Sequence, residues 1–339
     1  MEDTISFLSR IGDEVEDAEE ESFLLFSQDI PSSNLGFVDS KATSVDLTIH
    51  DTEYTIHQSP TLLSSSRAGG TTGAVLWKIT PHFASWLSDV SSNPLWTNEY
   101  LTPSSTIVEL GCGISALTAL CLAPLLEPGS GNGTGQGHYL ATDQEYVHKL
   151  FRINLQTNPP KLSSKKVGGK GASKGKKSQQ QKTSNRDNDD DGHQHQNITF
   201  TSLDWETDVP DTLKNQIQSS TSTPSTDTHL EEDSDAGFDL LLSCDCIYNE
   251  ALISPFVRTC AEIAQLRSPS LSPSSPSAMK PTICIIAQQQ RSPDVFEAWL
   301  RETMRSFRVF RLGDDVLKVE DKLGLGQGSG YLVHALVLR

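Results

Sequence analysis

The residues of this chain best suited to chemistry stand at the ends of apolar runs. The first group is Gly111-Cys112-Gly113, preceded by the β-branched run Thr106–Leu110 and followed by a segment rich in Ala and Leu. A buried strand, a glycine turn and a helix let backbone approach a nucleotide, with the helix N-terminus facing it. The next run, His138–Thr142, closes at Asp143. A carboxylate there can accept bonds from both hydroxyls of a ribose. After Asn197–Leu203 comes Asp204-Trp205, whose indole offers a flat apolar face to a base. Phe238–Cys244 ends at Asp245-Cys246-Ile247-Tyr248, a carboxylate and a phenol beside one strand end. Upstream, Gly73-x-x-x-Trp77 adds another aromatic. Each has a plain structural alternative: Asp143 as a helix N-cap, Trp77 and Trp205 as core aromatics, Cys244 as filler in a buried strand. Together, at successive strand ends on the ligand side of a parallel sheet, they favour a site.

Such a site requires a particular set of elements. Apolar runs alternate with helical patterns along the chain: helices over 145–158, 250–266 and 293–307, and further strands at Thr282–Ala287, Phe307–Leu312 and Tyr331–Leu338. This alternation predicts an α/β, Rossmann-like, doubly wound and mostly parallel sheet. The last two strands lack an intervening helix, which predicts one antiparallel strand near an edge. Alternation in Val45–Ile49 and a turn at His50-Asp51 predict an N-terminal β-hairpin. A glycine-led helix is expected over 71–87, with Pro81 interrupting it. Residues 1–35, crowded with acids, read as a mobile lead-in, and 36–339 as a single domain. Three polar tracts, at about 161–196, 219–236 and 268–281, read as disordered insertions replacing loops. The lysines of the first read as a solvated linker, or as a nuclear-import or RNA-binding patch.

Composition limits the classes of function. The 339 residues carry a formal net charge of −17, which disfavours a generic nucleic-acid binder and suits a basic protein partner. No signal-like N-terminus and no membrane-length apolar run appears, so a soluble protein is expected, in the cytoplasm first and the nucleus second. The six cysteines fall in apolar segments rather than in a disulfide-like pattern. Cys244-x-Cys246 lacks metal-knuckle spacing, and His193 and His195 sit in a polar tract, so no metal is expected.

Two ligands compete for the glycine turn. Gly111-x-Gly113-x-x-Ala116 fits the dinucleotide fingerprint, so NAD or FAD and an oxidoreductase stay open. Against them, Glu109 stands two residues before Gly111, and Asp143 lies beyond the spacing of a ribose-binding acid. The whole pattern resembles the seven-stranded S-adenosylmethionine-dependent methyltransferases: acid-x-Gly-x-Gly, an acid ending the second strand, Asp-Trp after the third and Asp-x-x-Tyr after the fourth. More narrowly it is similar to the family-sixteen protein-lysine methyltransferases. Glu-Leu-Gly-Cys-Gly-Ile-Ser, Thr142-Asp143-Gln144 and Asp245-Cys-Ile-Tyr-Asn-Glu250 look most like the fungal ribosomal lysine methyltransferase 5 group. Ser115 departs from the broad family, where a third glycine is common.

The resemblance implies S-adenosylmethionine as cofactor, held by Trp77, Gly111, Cys112, Gly113, Asp143, Trp205 and Cys244, with Asp245 and Tyr248 orienting a substrate lysine. It implies a monomer without metal, acting on a basic large-subunit ribosomal protein, the one that forms the mobile exit-site stalk. A nucleic-acid methyltransferase is disfavoured because Ser243-Cys-Asp-Cys246 stands where an Asp/Asn-Pro-Pro-aromatic motif is usual; Asn158-Pro-Pro160 is displaced and precedes Lys161. A non-catalytic scaffold on this fold is the remaining alternative.

Overall fold

The acidic N-terminus, expected to be mobile, is folded onto the sheet. In α1 (Glu2–Ile11) the residues Thr4, Phe7, Leu8 and Ile11 recur at helical spacing and are buried. Strand β1 (Gly12–Glu14) pairs antiparallel with the edge strand Phe307–Leu312. Helix α2 (Ala18–Phe26) starts at Asp17, whose carboxylate accepts the N–H groups of Glu19 and Glu20. Three of the acids, Asp13, Glu14 and Glu21, are paired with arginine here. Arg308 binds Glu14, and Arg311 donates to the buried Glu21 at 2.8 Å. The charge that suggested a solvated tail is answered by two arginines on the strand it covers.

The chain is described by a computed structural model at residues 1–30, 35–67, 70–126, 137–160, 195–218, 237–267, 280–319 and 322–339. The three expected insertions fall outside these residues, apart from 195–196 and 280–281, as does most of the glycine-rich stretch before Gly137.

The expected hairpin forms from β2 (Ser44–Ile49) and β3 (Thr52–His57). Its two turn residues, His50 and Asp51, both take positive φ, 46° and 61°, as a two-residue hairpin turn requires. A short α3 (Pro60–Leu63) and a single 3₁₀ turn (Thr72–Ala74) follow. Helix α4 runs from Ile79 to Ser88, not from Thr71. Pro81 therefore lies in the first turn, where its missing N–H has no intrahelical acceptor to lose. Next come α5 (Pro94–Thr97), β4 (Thr106–Leu110), α6 (Leu117–Leu122), β5 (His138–Asp143), α7 (Glu145–Thr157) and β6 (Ile198–Ser202). The remaining elements are α8 (Leu213–Gln218), β7 (Leu240–Cys244), α9 (Glu250–Gln265), β8 (Ile283–Gln289), α10 (Pro293–Thr303), β9 (Phe307–Leu312), the short pair β10 (Lys318–Val319) and β11 (Lys322–Leu323), and β12 (Tyr331–Leu338).

The main sheet has eight strands in the order β1-β9-β12-β8-β7-β4-β5-β6. Strands β4 to β8 are parallel to one another, and β12 lies antiparallel between β8 and β9. Seven of the strands were expected; the eighth is β1. Alternate residues of each parallel strand feed two cores. Ile107, Tyr139 and Leu240 face one, with α1, α4 and α6; Val108, Leu140 and Leu241 face the other, with α9 and α10. The chain leaves β4 toward β5 and β6 on one side, then returns to lay β7 and β8 on the other. The crevice at that reversal, beyond the carboxyl ends of the strands, is where a ligand fits such a sheet.

Asn154 of α7 and its C-cap Asn158 tie the hairpin to this crevice. Asn158 and Asn154 each give and take a hydrogen bond with the backbone of β3, at Thr55 and His57 respectively. Asn154 also donates to Ile114 O at 2.7 Å, just past the glycine turn. Among the described residues no helix is long and apolar enough to cross a membrane.

Candidate functional site

The glycine turn begins where β4 ends. Gly111 and Gly113 both take left-handed φ, 67° and 60°, which a side chain would strain. Space excludes one at Gly111 as well: a Cβ there would lie 2.4 Å from Cys246 Sγ and 3.3 Å from the Trp205 ring. The bare backbone thus seats the segments that follow β6 and β7. From the other side Gly73 closes on the turn, its carbonyl accepting the Ile114 N–H at 3.0 Å.

A cavity of about 430 Å³ opens at this point, and all nine residues singled out from the sequence line it: Trp77, Gly111, Cys112, Gly113, Asp143, Trp205, Cys244, Asp245 and Tyr248. Asp143 ends β5. Its two carboxylate oxygens accept the N–H groups of Gly113 at 2.8 Å and Gln144 at 2.7 Å, so it serves as a local cap and as a cavity wall together. One flank faces the cavity, while protein encloses the rest. Burial pushes its carboxyl up to about 6, against the two donated bonds.

Trp205 packs edge-on to Phe256, with ring centroids 5.1 Å apart, and its Nε1–H is buried without a partner. Such a donor on a cavity wall is costly unless a ligand or solvent accepts from it. The Trp77 ring lies between Phe37, 4.2 Å away, and the Arg291 guanidinium, 4.5 Å from its centroid, while its indole N–H donates to Thr72 O. Cys244 faces Thr80 Oγ1 at 3.8 Å, and burial lifts its thiol far above the usual range.

Asp245 and Tyr248 are arranged less simply than the motif suggests. Asp245 takes positive φ, 60°, and its carboxylate is buried in an ion pair with Arg291 while also accepting the Gln289 N–H. Burial raises its carboxyl above the ordinary range, and Arg291 opposes that shift. Tyr248 stands at the rim, 40 % exposed, with its hydroxyl 3.5 Å from Thr72 Oγ1.

Two residues of this region were not assigned from the sequence: Glu109 on the cavity wall, and Arg291, which lies behind Asp245 and does not line the cavity. Glu109, on β4, is fully buried, receives the Tyr139 hydroxyl at 2.8 Å, and has its carboxyl raised to about 7 by burial. Its place before the glycines was visible, but its function as a cavity wall was not. Arg291 lies in a run of glutamines that carries no motif. Only the adjacency of β7 and β8 brings it to Asp245. Of the two histidines weighed as metal ligands, His195 contacts Asn158 O at 2.9 Å, and His193 lies outside the described residues. Among the described residues no group of three or more His, Cys, Asp or Glu side chains is placed to hold a metal ion.

The sheet order, the antiparallel β12 and the ligand crevice define the class: the fold is that of the Rossmann-like class I methyltransferases. In sequence the chain resembles proteins named ribosomal lysine N-methyltransferase 5. It is 28% identical over 268 residues to that of Zygosaccharomyces rouxii, covering 76% of this chain and 72% of the relative. To that of Vanderwaltozyma polyspora it is 24% identical over 333 residues, covering 88% and 91%. A shorter stretch of 145 residues is 36% identical to the diaminohydroxyphosphoribosylamino-pyrimidine deaminase of Schizosaccharomyces pombe. That match spans 42% of this chain and only 32% of the deaminase, about a third of its length. The present sequence lacks the P-C-x-x-C element of zinc deaminases. No family model matches. Similar solved structures include a TehB-like SAM-dependent methyltransferase from Corynebacterium glutamicum, with 11% identity, TM-score 0.33 and coverage of 72% of this chain and 85% of that one. A methyltransferase from Pyrococcus furiosus has 10% identity, TM-score 0.34 and coverage of 81% and 86%. The fold and the curated relatives support a methyltransferase.

Proposed function

We propose that this chain is an S-adenosylmethionine-dependent protein-lysine N-methyltransferase whose substrate is a basic large-subunit ribosomal protein. The observation that carries the reading is the convergence of the glycine turn, Asp143 and Trp205 on one cavity at the carboxyl ends of β4, β5 and β6. The residues fit a nucleoside with an amino-acid tail. Gly111 to Gly113 give close backbone approach for the tail. Asp143 retains lone pairs for ribose hydroxyls beyond the two N–H groups it already accepts. Trp205 supplies an apolar face for the base and an unpaired N–H at its edge. Trp77 and Cys244 would close the far wall.

When bound, the cofactor supplies a methyl group on a positively charged sulfur, an electrophile that needs only a lone pair to accept it. The chain's own task is to exclude water, align the acceptor and keep it neutral. Asp245 and Tyr248, on the side of the cavity toward its rim, are the groups we assign to the lysine nitrogen. The names of the curated relatives support lysine as acceptor and a ribosomal protein as substrate, and the charge of −17 suits a basic partner.

Calorimetry with S-adenosylhomocysteine tests the cofactor. Binding is expected, with loss on Trp205→Ala and no loss on the surface change Arg301→Gln. Absence of binding, or equal loss in both variants, overturns the reading. Mass spectrometry of ribosomal proteins from cells with and without the gene tests the substrate, and an unchanged lysine methylation pattern refutes it.

A further inference from the structure

The geometry points to Arg291 as a positioning residue that neutralises Asp245, so that the acceptor lysine meets a charge-balanced pair instead of a bare carboxylate. The inference rests on the lysine reading above and concerns a residue that no motif in the sequence marks.

A bare carboxylate on the wall of this cavity creates a chemical problem. The lysine side chain is an ammonium at neutral pH, with an ordinary pKa near 10.4, and only the neutral amine has the lone pair that takes a methyl group. An opposite charge within ~4–6 Å favours the charged form by about 1–3 pKa units. Asp245 alone, with its side chain only 3% exposed, would therefore hold the ammonium and slow its reaction.

Arg291 removes that effect. Its Nη2 binds Asp245 Oδ2 and also donates to Gln289 Oε1 at 3.1 Å. Gln289 is itself held, its Oε1 accepting the Gly36 N–H at 3.1 Å. The guanidinium plane lies over Trp77, which is backed by Phe37. One guanidinium nitrogen thus makes both polar contacts while the centre of the group lies over the indole, a combination that a lysine ammonium reproduces only in part. Other groups coupled electrostatically to Asp245 are Cys244, Cys246 and Tyr248 from the end of β7 and Tyr331 from β12, and Glu109 from β4 and Asp143 from β5 are coupled in turn to Cys246. Of these and Arg291, only Arg291 is cationic at neutral pH. With the pair neutral, Asp245 can still accept one hydrogen bond from the neutral amine. The proton that the ammonium gives up passes to solvent, and the freed lone pair forms the new nitrogen–carbon bond as the carbon–sulfur pair leaves with the sulfur.

The test is Arg291→Gln, with Arg291→Lys, the double variant Asp245→Asn/Arg291→Gln and the surface control Arg301→Gln. S-adenosylhomocysteine binding, measured first, checks that each variant is folded. In Arg291→Gln, kcat on lysine at pH 7.5 is expected to fall about 10- to 1000-fold while KM stays level or falls, and the loss is expected to shrink as pH rises toward 10. The double variant, with both charges gone, should recover most of the neutral-pH rate; Arg291→Lys should recover only part. A readout independent of turnover is the binding of n-butylamine, a side-chain mimic, followed by ligand-observed NMR with S-adenosylhomocysteine present. In the wild type the affinity should rise with pH, and in Arg291→Gln it should be flat below pH 10. A uniform loss of kcat at all pH values, no recovery in the double variant, or identical amine profiles would overturn the inference. If the wild type binds the cofactor product but methylates no lysine, the lysine reading fails instead, and the two failures are distinguishable.

Discussion

The Asp143 carboxylate accepts the backbone N–H of Gly113 at 2.8 Å, joining the end of β5 to the turn that follows β4. The bond shapes the turn and aims the second oxygen's remaining lone pairs along the cavity wall. Asp143→Asn keeps one carbonyl acceptor, loses the charge and turns an amide NH2 toward the second backbone N–H. We expect S-adenosylhomocysteine affinity to fall about tenfold to a hundredfold, as for loss of a charge-assisted hydrogen bond, with a loss of folding stability of about 1–3 kcal/mol from the N–H left without an acceptor. Calorimetry paired with urea unfolding separates the two. Unchanged affinity would remove Asp143 from the ligand's contacts and leave it as a cap.

Gly111→Ala tests the cradle from the backbone side. The new methyl would meet Cys246 Sγ and strain a φ of 67°. The backbone strain alone is about 1 kcal/mol, and relieving the contact must move either Cys246 or the turn. A fall in cofactor-product affinity of at least tenfold is expected. Cys246→Ala in the same chain removes the obstructing sulfur and should recover part of it, which a role for Gly111 limited to backbone flexibility would not allow.

The expected strands became strands because each was a short apolar run, and the His50-Asp51 turn was legible from the alternation around it. The N-terminus was misread for a physical reason. The acids of 13–21 dominate the composition, while the spacing of Thr4, Phe7, Leu8 and Ile11 carried a readable helix signal. Eight of the nine cavity residues could be named because they stand at or just past strand ends, which in a doubly wound sheet share one edge, whereas Trp77, before α4, came from the family resemblance. Arg291 could not be. Its meaning comes from Asp245, 46 residues away in sequence and adjacent only once β7 and β8 pair.

Because α1 is part of the core, its loss should be felt globally. Phe7 is fully buried and stacks on Tyr100, with centroids 4.1 Å apart. Phe7→Ala should cost about 3–5 kcal/mol, read as a lower urea midpoint with an unchanged slope. A loss below about 0.5 kcal/mol would match an ordinary surface substitution and return the N-terminus to the peripheral role its composition suggested.

Glu109 gives a pH signature with a definite sign. Its carboxyl rises from an ordinary 4.5 to about 7 in the folded chain, because burial outweighs the bonds from Tyr139 and Thr118. The folded protein therefore holds this proton to higher pH than the unfolded chain does, and stability falls wherever the folded state binds more protons as pH rises. The contribution is fully present below about pH 4.5 and is lost across the window up to about 7; Asp143 adds a parallel loss between 3.8 and about 6. Glu109→Gln keeps an oxygen for the Tyr139 hydroxyl and removes the ionisation. Unfolding in urea at pH 5 and pH 8 should show the wild type losing more stability between the two than the variant does, by at most about 3 kcal/mol. All other titrating groups are common to both proteins, so the difference isolates Glu109. A variant that loses as much as the wild type would mean that the donors around Glu109 hold it ionised in the fold, and that the cavity wall behind the glycine turn is charged at neutral pH.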